Sequence, residues 1–313
     1  MNQAILEQAI LKTLAYFDLN NYPLTSEEIG QFLFQYKSDD FKALLSALDE
    51  MKIQNKIQEK FGYFYLVGKE EIVENRRVQL VISELKLRKA RKAAKFIRYV
   101  PFLRAIFVCN TVSAGTATAS SDIDFFIITA MGRIWIVRFF TNLILRLFGL
   151  RTYGDKISDK ICLSFFVDDN NLNLEKLKAV DLDIHFVYWT TQMIPIYDPQ
   201  NYWKKFLTAN YWIKNYLPNF SNNSSYLNLV NDGKVGKVWK KAWEIMWQTA
   251  YGDLIEKQMH DWQLMKLRLS IKEKAEAANK NVVISDGVIK LHEHDTRGEI
   301  FERWQKKVSE LCL

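Results

Sequence analysis

Apolar residues at the start of the chain recur at helical spacing: Ile5, Leu6, Ile10, Leu11, Leu14 and Phe17 share a face and predict an opening helix. Pro23-Leu24-Thr25 breaks that pattern, and Thr25 with Glu28 three residues later has the form of a capping box for a second helix. Asp39 or Asp40 is placed to cap a third, with an apolar face of Phe41, Leu44, Leu45, Leu48 and Met51. Around Phe61-Gly62 the pattern turns from helical to extended, so 56–60 and 63–67 read as a hairpin. Residues 69–100 follow as a long helical connector. The most apolar window, 134–150, is interrupted by Arg138 and Arg146 and is shorter than the about 20 residues of a membrane span. It predicts a helix buried against a sheet. The Asn/Ser-rich stretch 219–225 reads as a loop. Val235–Ala278 is helical with a tryptophan stripe (Trp239, Trp243, Trp247, Trp262) that reads as helix-packing core. Val282–His292 forms a second hairpin around Ser285-Asp286-Gly287, and Thr296–Leu311 a closing amphipathic helix.

These elements divide the 313 residues into four parts: a unit over 1–68, a helical connector over 69–94, an α+β core over 95–198 and a mainly helical region over 199–313. Low glycine (12) and proline (5) fit this helical weighting and argue against a turn-rich all-β protein. Three helices followed by a hairpin resemble a winged helix-turn-helix, which implies either DNA binding or a docking module. The presumed recognition helix is acidic (Asp39, Asp40, Asp49, Glu50), against the expectation for a major-groove reader.

Charge is local. The net +7 is matched by the seven basic residues between Lys86 and Arg98, a stretch with no acid, so the rest of the chain is balanced. Such a helix is either a solvated face or a guide for a polyanion, nucleic acid or a triphosphate. Three cysteines (Cys109, Cys162, Cys312) without a CxxC pair exclude a disulfide scaffold and a zinc ribbon, and make a reducing, cytoplasmic setting the expectation. Met1–Leu14 carries acidic and polar residues where a secretory leader needs an unbroken apolar run, so no leader and no membrane partner are expected.

The chemistry is concentrated in 106–128. Ile106–Cys109 is a short buried strand, Asn110–Ser121 is a small-residue turn containing Gly115, and Asp122-Ile123-Asp124 leads into the strand Phe125–Ile128. Backbone N–H groups and hydroxyls of such a turn suit phosphate. In extended chain, residues i and i+2 face the same way, so Asp122 and Asp124 project together and repel unless a divalent cation joins them.

Strand, small-residue turn with glycine, Ser-Asp-x-Asp and strand together resemble the signature of the DNA polymerase β-like nucleotidyltransferase superfamily. Aligned without a gap on the aspartates, the family's Gly-Ser falls on Asn110-Thr111, its second glycine on Gly115 and its Ser-Asp-x-Asp on Ser121–Asp124. The resemblance covers about 60 to 90 residues. It implies an α+β nucleotidyltransferase core with a mixed sheet, and Mg²⁺ or Mn²⁺ held by Asp122 and Asp124. It also implies that Asn110, Thr111, Gly115 and Ser121 bind a nucleoside triphosphate such as ATP. The implied activity transfers a nucleoside monophosphate to an acceptor and releases pyrophosphate.

Two departures matter. Asn110 replaces the first glycine, a substitution asparagine tolerates through its ease in left-handed backbone. The family's third carboxylate has no evident counterpart: the candidate strand Lys160–Val167 is centred on Ser164, and Asp168 and Asp169 lie at its end. Asp155, Asp159, Asp181 and Asp183 have no better claim. The alternative function is therefore a transferase-fold protein with little activity, sensing nucleotide while binding DNA or protein. His292, His294 and Asp295 form a weaker metal candidate in which Asp295 suits a helix cap. His185 and His260 read as ordinary packing or surface positions.

Overall fold

The computed structural model describes residues 2–152, 154, 156–221, 229–267, 271, 273, 275, 282–291 and 296–311. Asp155, His292, His294, Asp295, Cys312 and most of the 219–225 loop lie outside them.

The first unit is built from α1 (Asn2–Asp18), α2 (Ser26–Phe32), α3 (Phe41–Ile53), β1 (Ile57–Lys60) and β2 (Tyr63–Leu66). The expected local chemistry is present. Thr25 and Glu28 form a reciprocal capping box, and Asp40 accepts from Lys42 N to cap α3. Phe61 and Gly62 both take positive φ (55° and 80°), which lets two residues reverse the hairpin with the right twist. One expectation fails in part: Phe41 and Leu45 are exposed, and the buried face of α3 is Leu44, Ala47, Leu48 and Met51.

The connector is a single helix, α4 (Glu71–Ile97). Its buried Arg76 makes two 2.7 Å bonds to Glu28 and lies over the rings of Tyr22 and Tyr63. Glu28 therefore closes its own helix and ties the unit to α4.

A mixed six-stranded sheet follows, in the order β6-β3-β4-β5-β8-β7. It comprises β3 (Leu103–Cys109), β4 (Ile123–Thr129), β5 (Ile161–Asp168), β6 (Ile194–Tyr197), β7 (Val282–Ile284) and β8 (Val288–Leu291). Only β4 and β5 are parallel, joined by the crossover helix α6 (Ile134–Leu147). The expected boundary at 198 does not divide the sheet, because β8 pairs with β5 and brings the C-terminal hairpin into it.

Each face of the sheet has its own apolar layer. One is packed by α4 and α6, joined from α10 (Ala250–Met265) by Ile255 and Met259. The other is packed by α7 (Ile184–Gln192), α8 (Tyr202–Ala209), Trp304 of α11 (Arg297–Leu311) and the first unit, in one continuous cluster. Residues 235–278 do not form one helix: α9 (Lys234–Trp247) ends at Gln248-Thr249 before α10. The tryptophan stripe is core in part: Trp247 packs on Phe140 and Trp262 meets Phe139 of α6, while Trp239 and Trp262 are 52% and 41% exposed. No helix among the described residues is long and apolar enough to cross a membrane.

Candidate functional site

The site lies where β3 ends and β4 and β5 begin. Asp124 sits opposite Cys109 on one side and Cys162 on the other. Ile123 turns into the α4–α6 layer, so Asp122 and Asp124 both face the opposite side, where they line a cavity of about 390 Å³. Asp122, Asp124 and Cys162 each offer a ligand atom within 4.8 Å of the others.

Electrostatics make this cluster costly without a cation. Burial, and then the neighbouring Asp122, push Asp124 up to about 7. Burial raises Asp122 as well, opposed by hydrogen bonds from its own backbone and Cys162 and by Arg151 and Lys86. Burial and the two carboxylates push the Cys162 thiol up to about 12, so it stays protonated and bonds to both aspartates. Two carboxylates that share a thiol donor and lack a direct ion pair fit a hard divalent cation. Such an ion takes carboxylate oxygens and completes its shell from phosphate and water, leaving the thiol outside.

The turn before the pair is organised by its own side chains. Asn110 has φ 59°, a left-handed backbone that favours glycine. Its amide bonds to Asp124 and accepts from Trp189 Nε1 at 2.7 Å, which fixes the rotation of both groups. Thr111 is exposed at the cavity, and its carbonyl accepts from Thr116 N at 2.9 Å to close the turn. Ser121 lines the cavity and accepts from Thr118 N at 3.0 Å.

Gly115 takes φ +74°, and a Cβ there would meet Tyr22 Oη of the first unit at 3.0 Å and Leu80 of α4 at 3.2 Å.

Lys86 also departs from a solvated basic face. It is buried, donating to Ala119 O, Ser121 O (2.7 Å) and Asp159 (2.9 Å), and so holds the loop that delivers Asp122. Lys89 shares Asp159, and Arg88 and Arg91 pair with Glu84; Arg88, Lys89, Lys92 and Lys95 all remain exposed.

None of the described acids on the list of third carboxylates reaches the pair. Asp168 and Asp169 end β5 beside Thr129, about 20 Å of strand from Cys162 at roughly 3.3 Å per residue. Asp159 is engaged by Lys86 and Lys89, Asp181 is exposed, and Asp183 caps α7. Ser164 is displaced by a register shift between Asp124/Cys162 and Phe126/Phe165, and Cys162 stands directly across from Asp124. Matching the two strands at their first apolar residues, Ile123 and Ile161, would have paired Cys162 with Asp124.

The remaining walls come from distant segments. Tyr16, Phe17, Asn20 and Tyr22 belong to the first unit, and His185, Phe186, Trp189 and Gln192 to α7 or its end. Lys290 of β8 and Arg297 of α11 bring buried cations to the cavity, Arg297 bonding to Asp183 at 3.0 Å. His185 is not an ordinary packing residue: it lines the cavity with Nδ1 3.0 Å from Tyr16 Oη. His260 meets its expectation, half-exposed beside Asp261. No family model, curated protein or solved structure matches the chain.

Proposed function

We propose that the protein is a divalent-metal-dependent nucleotidyltransferase with a DNA polymerase β-like core, acting on a nucleoside triphosphate and a small acceptor. The carrying observation is the Asp122–Asp124 pair at the start of β4, Asp124 buried and Asp122 half-buried, both lining the cavity beside a turn whose Asn110 has glycine-like backbone. The volume, about 390 Å³, falls in the range of small-molecule sites, roughly 300–1,000 Å³, and the first unit walls it on one side. This supports a small acceptor over a nucleic-acid duplex. The winged-helix-like unit serves in this reading as a wall of the site, and the acidic surface of α3 argues against groove binding.

In the reaction, the acceptor oxygen bonds to the α-phosphorus and the bridging bond to the β-phosphate breaks. Pyrophosphate leaves, and the acceptor's proton passes to a base. Mg²⁺ or Mn²⁺, when bound, neutralises phosphate charge and orients the reacting oxygens. Asp122 and Asp124 hold it, and Asn110 keeps Asp124 aimed. Thr111 and Ser121 offer hydroxyls and N–H groups to the phosphates. His185, bonded to Tyr16 Oη, lines the cavity in which the family would use a carboxylate.

A second reading, nucleotide sensing without turnover, is favoured by Cys162, whose protonated thiol cannot act as the missing base. Calorimetric titration with Mg²⁺ and a non-hydrolysable triphosphate tests both readings, on wild type and on Asp122→Asn/Asp124→Asn. Binding that needs metal and is lost in the variant is expected. Folded wild-type protein that binds none of the four nucleotides would overturn both. Binding without pyrophosphate release across an acceptor screen would select the sensor.

A further inference from the structure

α9 presents its apolar side to solvent. Its inward contacts are made by small or polar residues up to its last turn, where Trp247 packs into the α4–α6 layer against Phe140. Lys240 donates to Leu103 O at 2.7 Å and Tyr197 Oη at 2.9 Å, and Glu244 accepts from Phe102 N at 2.7 Å and Arg104 at 2.8 Å. Gly236 is buried where a Cβ would stand 2.6 Å from the Tyr99 ring. These three positions set the rotation of the helix about its axis. Val235, Val238, Trp239, Ala242, Ile245 and Met246 then form an outward stripe at helical spacing.

The stripe is a ridge and not the lining of a groove. Val235 is 83% exposed, Val238 70% and Ile245 61%, whereas side chains in a groove lose exposure to its walls. Its border carries one sign of charge. Lys234, Lys237 and Lys241 are exposed, and the helix's only acid, Glu244, is turned inward onto Arg104.

We infer that α9 seats the protein on an anionic lipid surface, with the ridge at the acyl boundary and the lysines at the level of the headgroup phosphates. A second copy offers the same ridge and the same positive border, so it provides neither a hole nor a countercharge. A protein partner would need an acidic groove shaped to the ridge, whereas a fluid interface accepts the ridge as it stands. The association is peripheral and does not depend on the nucleotide site.

The test is flotation of the full chain with phosphatidylcholine vesicles, with and without phosphatidylglycerol, at low and high salt. Binding to the anionic vesicles that weakens with salt is expected, with at least about tenfold less on phosphatidylcholine alone. Lys234→Glu/Lys237→Glu/Lys241→Glu lowers it roughly 100-fold at about fivefold per lysine, and Val238→Glu/Ile245→Glu lowers it at least about tenfold. Both variants change exposed side chains, so unaltered melting is the control for folding. The inference is overturned if wild type does not float with anionic vesicles, or if Val238→Glu/Ile245→Glu floats as well as wild type. A wild-type dimer that Val238→Glu/Ile245→Glu turns into a monomer overturns it too, and assigns the ridge to a second copy.

Discussion

Two pairs of aspartates stand at opposite ends of the same parallel strands, and they are used in opposite ways. At the far end, neutral donors satisfy the carboxylates. Asp168 accepts from Asn170 N and Asn171 Nδ2 at 3.1 and 2.7 Å, while Asp169 accepts from Met131 N and Tyr202 Oη at 2.9 and 3.0 Å. At the near end, Asp122 and Asp124 project side by side into a cavity, with a thiol and one amide as direct side-chain partners. The residue type is the same, so what separates a structural acid from a ligand-binding one is whether neutral groups already satisfy its oxygens.

The strongest way to break this comparison is Asp122→Asn/Asp124→Asn. Metal-dependent triphosphate binding should fall by on the order of 10³, while the metal-free protein gains about 1–3 kcal/mol from losing the buried repulsion. Calorimetry and thermal melting check the two halves, and a loss of stability would mean that the near pair is structural.

Next comes Cys162→Asp, which gives the near end a third acid. Pyrophosphate release should rise by at least about 10²-fold if a missing general base limits turnover. An unchanged rate would assign proton removal elsewhere, with His185→Gln as the follow-up.

Asp168→Ala should do the reverse of the first variant. Melting should show a loss of about 1–3 kcal/mol, with nucleotide binding intact, because its donors then lose a buried acceptor.

The smallest effect is in pH. Asp124 is raised to about 7 in the folded state, so that state holds a proton the unfolded chain releases near pH 4. The stabilisation is complete below about pH 4 and is lost as pH rises through about 7, an effect of a few kcal/mol at most. The slope should be steeper in metal-free wild type than in Asp124→Asn, which keeps the smaller contribution of the raised Asp122.

The legible parts of the molecule are those decided over a few residues. Thr25 and Glu28 announce a cap, Phe61-Gly62 a turn, and Asp122 and Asp124 a shared face, because period and capping are local properties. Ser164 is displaced because the irregular pairing beyond Asp124 shifts the centre of β5 relative to β4, whereas Cys162 lies before that shift and its place shows only once the two strands are paired from Ile123 and Ile161. Tyr16, His185, Lys290 and Arg297 reach one cavity from far-apart segments, and no local pattern records that. The tryptophan stripe packs only in part, with Trp247 inward and Trp239 outward, for another reason. Periodicity shows that α9 has an apolar side but not which way it points, and here Lys240 and Glu244 take the inward side through bonds to β3 and its approach.

The pairing of β8 with β5 also governs how the protein is made. β5 is complete at Asp168, yet its partner lies about 120 residues further on, between Val288 and Leu291. At roughly 5–20 residues per second, a ribosome leaves that strand edge open for about 6 to 24 seconds. The bare edge carries Phe165, Phe166 and Val167, a segment suited to pairing with a neighbouring nascent chain. Lys290 arrives with β8, so the cavity gains its buried amine in the same event that protects the sheet. Yield in expression should therefore depend on how quickly this hairpin is delivered, and slow codons between 169 and 287 are where aggregation would begin.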